Sequence, residues 1–153
     1  MRYLPPSKAS KKIVVDANLV AATVTPILGL EKAEVVFIRL MQEGCNLYAP
    51  EWWLAEVISV LRQQVYRRLI SPESAHDAVE DVFSLNVEMV PLDVPLCQRA
   101  LDWAEVIHHS KIYDSIYLAL AERLHADFWT ADKKLAEAAR AAGAKWVNWA
   151  GDS

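Results

Sequence analysis

Short β-branched runs alternate along this chain with longer stretches of helical spacing, and that alternation constrains its fold more than any other feature. Ile13-Val14-Val15 is the first such run. Branched residues with no polar residue between them suit a strand buried on both faces of a parallel sheet. Asn46-Leu47-Tyr48-Ala49, closed by Pro50, is a second; Val87 to Leu92, Asp127 to Thr130 and Lys145 to Trp149 follow. Between them lie helical stretches at Leu19 to Leu28, Glu31 to Glu43, Glu51 to Leu69, Ser71 to Leu85, Pro95 to Ile107, Tyr113 to Leu124 and Asp132 to Ala142. Strands alternating with helices imply right-handed crossovers, so the expected class is α/β with a central parallel sheet of about five strands.

Local signals fill in this frame. Pro26 falls near the end of the first helix, and Gly44 stops the second, where Val35, Ile38, Leu40 and Met41 stand near helical spacing. The long helix from Glu51 offers Leu54, Val57, Ile58, Leu61 and Val65 as its buried stripe, with Arg62, Arg67 and Arg68 polar. Ser71-Pro72 is an N-cap followed by proline at the first helical position, and Gly143 ends the last helix. Trp52 or Trp53 is expected in the core or at a partner interface, and Trp129, Trp146 and Trp149 in the core. Asp93, Asp102, Glu105, Glu122 and Asp127 are expected at the surface.

With 153 residues the chain suits one domain, and 54% hydrophobic against 24% charged residues excludes a disordered chain. Residues 1–11 are expected to be a flexible lead-in and residues 12–150 a single domain. Cys45 and Cys97 form no C-x-x-C pair or zinc pattern and suit a reduced compartment. The first twelve residues lack the apolar stretch of a signal peptide. Asp16, Asn18, Pro26 and Gly29 interrupt the most apolar window. A soluble cytoplasmic protein without a membrane segment is therefore expected.

Acids at particular places point to chemistry. Ligands of an open parallel sheet bind beyond the carboxyl ends of its strands. Asp16 ends the first strand and Asp132 follows the fourth by two residues, so both belong to one rim. Glu56 and Asp114 lie in otherwise apolar helical stretches, where a carboxylate is costly unless paired or bound to metal. Each has an ordinary structural alternative. Asp16 and Asp132 can cap helices, Glu56 can pair with Arg62, and Asp114 can sit against a helix dipole.

Together these blocks carry a resemblance. Ile13 to Asn18, Pro50 through Glu56-Val57, Tyr113 to Glu122 and Thr130-Ala131-Asp132-Lys133 resemble the PIN domain family, most closely its VapC-type toxin nucleases. The resemblance runs from about Lys12 to Trp149. It implies a three-layer α/β/α sandwich and a metal-dependent ribonuclease with Asp16, Glu56, Asp114 and Asp132 as its acidic quartet. It also implies polar helpers at Asn18 and Thr130, a homodimer, and inhibition by a small antitoxin.

The quartet suits hard divalent cations. Crowded carboxylates repel where water is scarce, and Mg²⁺ or Mn²⁺ with oxygen ligands relieves this. Asp16 and Asp114 are expected as primary ligands. Glu56 and Asp132 would bind a second ion or orient water, with Asn18 and Thr130 hydrogen-bonding the ligands or their waters. Asn18 can instead cap a helix, and Thr130 can be a simple strand former. Arg62, Lys111, Lys133 and Lys134 are candidate RNA contacts, as are His108 and His109. Adjacent residues on a helix point about 100° apart, so those two histidines are poor joint metal ligands.

Rival readings fit less well. A haloacid-type hydrolase needs Asp where Asn18 stands, a receiver domain wants paired acids at the first strand, and no phosphate-binding Gly-rich loop exists among 4 glycines. The remaining alternative is a PIN-like module that binds protein or RNA with weak or no catalysis. Net charge is 16 − 20 = −4, and setting the quartet aside leaves 16 acids against 16 bases. Net acidity therefore does not exclude RNA as a substrate, provided that metal accompanies it.

Overall fold

Ile13, Val14 and Val15 are fully buried at the centre of the molecule, in strand β1 (Lys12–Val15). The computed structural model describes residues 10–152. Five parallel strands form one sheet in the order β3-β2-β1-β4-β5, with β2 (Asn46–Pro50), β3 (Val87–Val90), β4 (Asp127–Thr130) and β5 (Val147–Trp149). Among the described residues seven α-helices cover it: α1 (Ala17–Val24), α2 (Glu31–Gln42), α3 (Trp53–Tyr66), α4 (Pro72–Ser84), α5 (Val94–Val106), α6 (Tyr113–Leu124) and α7 (Lys133–Ala141). The chain winds β1 to β3 outward in one direction, then returns over the sheet to β4 and β5. Right-handed crossovers therefore place α1–α4 on one face and α5–α7 on the other. The result is the expected three-layer α/β/α sandwich.

The reversal of direction falls between β1 and β4, which are neighbours. Such a switch point leaves a crevice at the carboxyl ends of the two strands, because the helices that follow them leave toward opposite faces. That crevice positions the candidate site.

Most elements stand where the sequence places them, and the departures have identifiable causes. The first helix ends at Val24 rather than Leu28. Thr25 is extended (φ −152, ψ 142) because the ring of Pro26 bars its predecessor from helical geometry. In α2 the buried face is Ala33, Val36, Phe37 and Leu40, while Val35 is 65% exposed and Ile38 and Met41 also face outward. Val35-Val36-Phe37-Ile38 is apolar throughout, so either face satisfied the spacing, and packing against α1 selected the one carrying Phe37.

In α3, Trp53, Val57, Leu61 and Gln64 are buried, whereas Leu54, Ile58 and Val65 are only half-buried. The helix also starts later than expected, because the Glu51 backbone N–H still donates to the Val90 carbonyl (3.0 Å) beside the pairing of β2 with β3, and Glu51 Oε1 accepts from the Leu92 N–H (2.9 Å). Trp129, Trp146 and Trp149 are half-buried rather than core-filling. β5 is an edge strand, and these rings lie under Arg39, against Trp103 and under Lys133 respectively.

Other local signals are realised as drawn. Ser71 caps α4, with Pro72 in its first turn. Gly44 ends α2 at φ +70, a conformation costly for any residue with a Cβ. His108 and His109 lie past the end of α5 in a turn, not on a helix, and His108 has φ +56. The expected lead-in lies outside the described residues except for Ser10 and Lys11. There Lys11 accepts from the Asn46 N–H through its carbonyl and pairs through Nζ with Asp127. Among the described residues no helix is long and apolar enough to cross a membrane.

Candidate active site

Asp16 leaves β1 directly into the switch-point crevice and begins α1. Its Oδ1 accepts from the Leu19 N–H (2.8 Å), so it does cap α1. Its Oδ2 accepts twice, from Thr130 Oγ1 (2.5 Å) and from the Ala131 N–H (3.0 Å), both on the neighbouring β4 side. Capping and a place at the rim are therefore compatible in one residue. Asp16 is only 8% exposed. Burial pushes its carboxyl up to about 6, against the three donors that favour the ion, and the charge of Glu56 adds to the rise.

Thr130 connects two of the acids. Its fully buried hydroxyl donates to Asp16 and accepts from the Asp132 N–H (2.9 Å). Asp132 caps α7 by accepting from the Leu135 N–H and keeps its carboxylate exposed at the rim. Asn18 lies in the first turn of α1 and faces solvent. Asp16, not Asn18, provides the cap, and among the described residues no hydrogen bond joins Asn18 to an acid.

Glu56 and Asp114 come from opposite layers, on the first turns of α3 and α6. Glu56 does not pair with Arg62. Its Oε2 accepts instead from the Tyr117 hydroxyl (2.7 Å). Burial raises the Glu56 carboxyl above its ordinary range, the Tyr117 hydrogen bond opposes this, and the charge of Asp114 adds to it. Asp114 is raised by burial and then by the charge of Asp132, while His109 nearby, with Nδ1 at 3.5 Å from Asp114 Oδ2, favours the ion.

Electrostatics thus link the four acids in series: Glu56 acts on Asp16, Asp114 on Glu56, and Asp132 on Asp114. Burial, with the charges of Glu56, Asp16 and Asp114, raises the Tyr117 hydroxyl well above its ordinary 10, so it remains a donor. Tyr117 is the site's addition to the sequence reading, and His109, a candidate RNA contact there, stands beside Asp114 instead. The signal for Tyr117 was its spacing, one helical turn after Asp114 on the same face of α6.

The basic candidates are more dispersed. Arg62 lies six residues beyond Glu56, about 9 Å along α3 and roughly 120° around it. Its guanidinium rests over Tyr66. Lys111 is exposed just before α6, and Lys133 follows Asp132 with its Nζ 5.1 Å from the centre of the Trp149 ring.

The rim suits a hard cation in kind. All four donors are carboxylates, and three are buried or half-buried at a cost that a positive charge relieves. Among the described residues no three His, Cys, Asp or Glu side chains are set as a ready metal cage. Protein donors already occupy both oxygens of Asp16 and one each of Glu56 and Asp132. Mg²⁺ does not need such a cage, because it keeps several waters and takes one or two carboxylates plus substrate phosphate.

Comparison with known proteins agrees with this architecture. The PIN domain family model matches residues 13–141. Ribonuclease VapC12 of Mycobacterium tuberculosis is 36% identical over 125 residues, covering 82% of this chain and 90% of that protein. Ribonuclease VapC3 of Pyrobaculum aerophilum is 27% identical over 135 residues, covering 82% and 93%. Among solved structures, PAE2754 from Pyrobaculum aerophilum superposes with a TM-score of 0.63 at 17% identity, covering 94% of this chain and 93% of that one. Mycobacterium tuberculosis VapC20, a Sarcin-Ricin loop cleaving toxin, does so with a TM-score of 0.57 at 17% identity, covering 82% and 94%. The family model runs from the first strand to the last α-helix of this sequence, and this chain belongs to the PIN domain family.

Proposed function

We propose that this chain is a metal-dependent endoribonuclease that hydrolyses RNA phosphodiester bonds, and the toxin of a type II toxin–antitoxin pair. The observation that carries this reading is the placement of Asp16, Glu56, Asp114 and Asp132 about the switch point of the sheet, with Asp16 hydrogen-bonded to the Thr130 that also holds the Asp132 N–H, and Glu56 to Tyr117 on the helix that carries Asp114. Relatives named VapC ribonucleases, matched over most of their length, support the RNA substrate, and the fold shared with VapC20, a Sarcin-Ricin loop cleaving toxin, supports the toxin role.

Asp16 and Asp114 would hold the first Mg²⁺ or Mn²⁺, and Glu56 and Asp132 would serve a second ion or the attacking water. The bound cation would supply charge neutralisation at the scissile phosphate and a more acidic water. The protein's own work is positional. Thr130 and Ala131 fix the Asp16 carboxylate, and Thr130 fixes the Asp132 backbone against it. Glu56 or Asp132 takes up the proton that the attacking water loses as its oxygen bonds to phosphorus, one backbone P–O bond breaks, and the departing sugar oxygen takes a proton from solvent. Lys111, just before α6, and Lys133, at the start of α7, flank the rim, where phosphate contact adds affinity without sequence preference. The reading also includes a cytoplasmic homodimer restrained by a small antitoxin.

Cleavage of RNA by the purified protein tests this, with Mg²⁺ or Mn²⁺ and with EDTA, alongside Asp114→Asn. Activity is expected with metal and lost both in EDTA and in the variant. Full activity in EDTA, or in the variant, overturns the reading. Calorimetric titration with Mn²⁺ separates it from the binding-module alternative, which expects no specific binding.

A further inference from the structure

The acids of the rim are not all held equally. Asp16 has three donors on its two oxygens, and Asp132 is fixed through its cap and its backbone. Glu56, on a longer and more flexible side chain, is oriented by one hydrogen bond, from Tyr117. Among the described residues no donor reaches its Oε1.

The Tyr117 ring is itself tightly placed. It is 2% exposed and stacks on Phe128 of β4 (5.4 Å between centroids, 11° between planes). Its edge meets Trp52 at 5.2 Å. Trp52 immediately precedes α3, one turn before Glu56, and the Glu56 N–H donates to the Trp52 carbonyl. One aromatic ring thus spans from β4 to the start of α3, and its single polar atom meets Glu56. Asp114, one turn earlier on the same helix, moves as a body with it.

We propose that Tyr117 is the positioning residue of the acidic rim, its hydroxyl engaging Glu56 Oε2 so that Oε1 is turned, free of any donor among the described residues, toward a divalent cation or a water. The inference rests on the metal-dependent reading above and goes beyond it. It fixes the orientation of Glu56, and it ties the carboxylate from the α3 layer to the helix that carries Asp114.

Tyr117→Phe deletes the hydroxyl and keeps the ring. Outer partners of this kind are worth about 10–100-fold in metal affinity or activity. Calorimetric Mn²⁺ affinity is expected to fall by about that factor in Y117F, with kcat falling similarly and the KM for RNA near wild type. Circular dichroism reports whether the fold is kept. Because Tyr117 acts through Glu56, adding Y117F to Glu56→Gln should lower Mn²⁺ affinity no further.

A folded Y117F that binds Mn²⁺ within about twofold of wild type and turns over normally overturns the proposal. If Y117F fails to fold, Glu56→Asp withdraws the carboxylate from the hydroxyl with the ring untouched. A folded E56D that binds Mn²⁺ like wild type overturns it equally. The wild-type arm keeps the two levels apart. Cleavage in EDTA without Mn²⁺ binding overturns the metal-dependent reading and this inference with it, whereas an unaffected Y117F beside a metal-dependent wild type overturns the inference alone.

Discussion

Replacing Asp16 by Asn should abolish RNA cleavage and yet leave the metal-free protein at neutral pH as stable as wild type or more so. Ionised Asp16 is a buried charge. The rise of its carboxyl from the ordinary 3.8 to about 6 amounts to about 3 kcal/mol against the charged form at pH 7. Asparagine removes that penalty and remains a good N-cap, so the Leu19 N–H keeps its acceptor. The loss is at the other oxygen, where an amide NH₂ would face the Ala131 N–H. A buried donor left unpaired costs about 1–3 kcal/mol, and the Thr130 hydroxyl can turn to accept.

The net expectation is a gain of about 0–2 kcal/mol for D16N above pH 7. The pH dependence is more diagnostic. A carboxyl raised in the folded state contributes stability that is complete below pH 3.8 and is lost as pH rises through about 6. D16N lacks this term, so the difference between the two proteins should move by about 3 kcal/mol in favour of the variant between acidic and neutral pH. Urea unfolding in EDTA from pH 4 to pH 7.5 measures it. A difference flat to within about 1 kcal/mol over that range, or a D16N protein clearly less stable at pH 7.5, refutes the reasoning. Mn²⁺ should narrow the gap by stabilising wild type alone.

Thr130→Val keeps the volume of a buried side chain while removing the link between Asp16 and the Asp132 N–H. Activity should fall about 10–100-fold and stability by about 1–3 kcal/mol, measured by RNA cleavage and urea unfolding. Asp93 caps α5 and pairs with both terminal nitrogens of Arg123, which hold its carboxyl at about 2. Its stabilising contribution is present above the ordinary carboxylate range and lost as pH falls through 2, so Asp93→Ala should lower Tm at pH 6 and match wild type near pH 2. On α2, Phe37→Ala should cost about 3–5 kcal/mol and Val35→Ala about 0.5 kcal/mol or less, which checks by urea unfolding which face packs against α1.

Some of this was legible in one dimension. Ile13-Val14-Val15 ends at an acid and alternates with helical segments, and a right-handed connection then places Asp16 and Asp132 on one rim whatever the details. Caps such as Ser71, Asp16 and Asp132 were equally readable, because a cap is satisfied within three residues of chain. By itself, then, the sequence determined the class of fold, the order of its elements and the edge on which the acids gather.

Only the tertiary structure decided what depends on residues distant in the chain. It chose Phe37 over Val35 for the buried face of α2, since both fitted the helical period and the neighbouring α1 settled it. It gave Glu56 to Tyr117, sixty-one residues away, rather than to Arg62 on its own helix. It joined Asp16 to Thr130 across one hundred and fourteen residues through the pairing of β1 with β4. Local spacing fixes periodicity and caps, whereas the partner of a buried polar group is set by whichever element packing brings against it, and that is a property of the assembled sheet and its two helical layers.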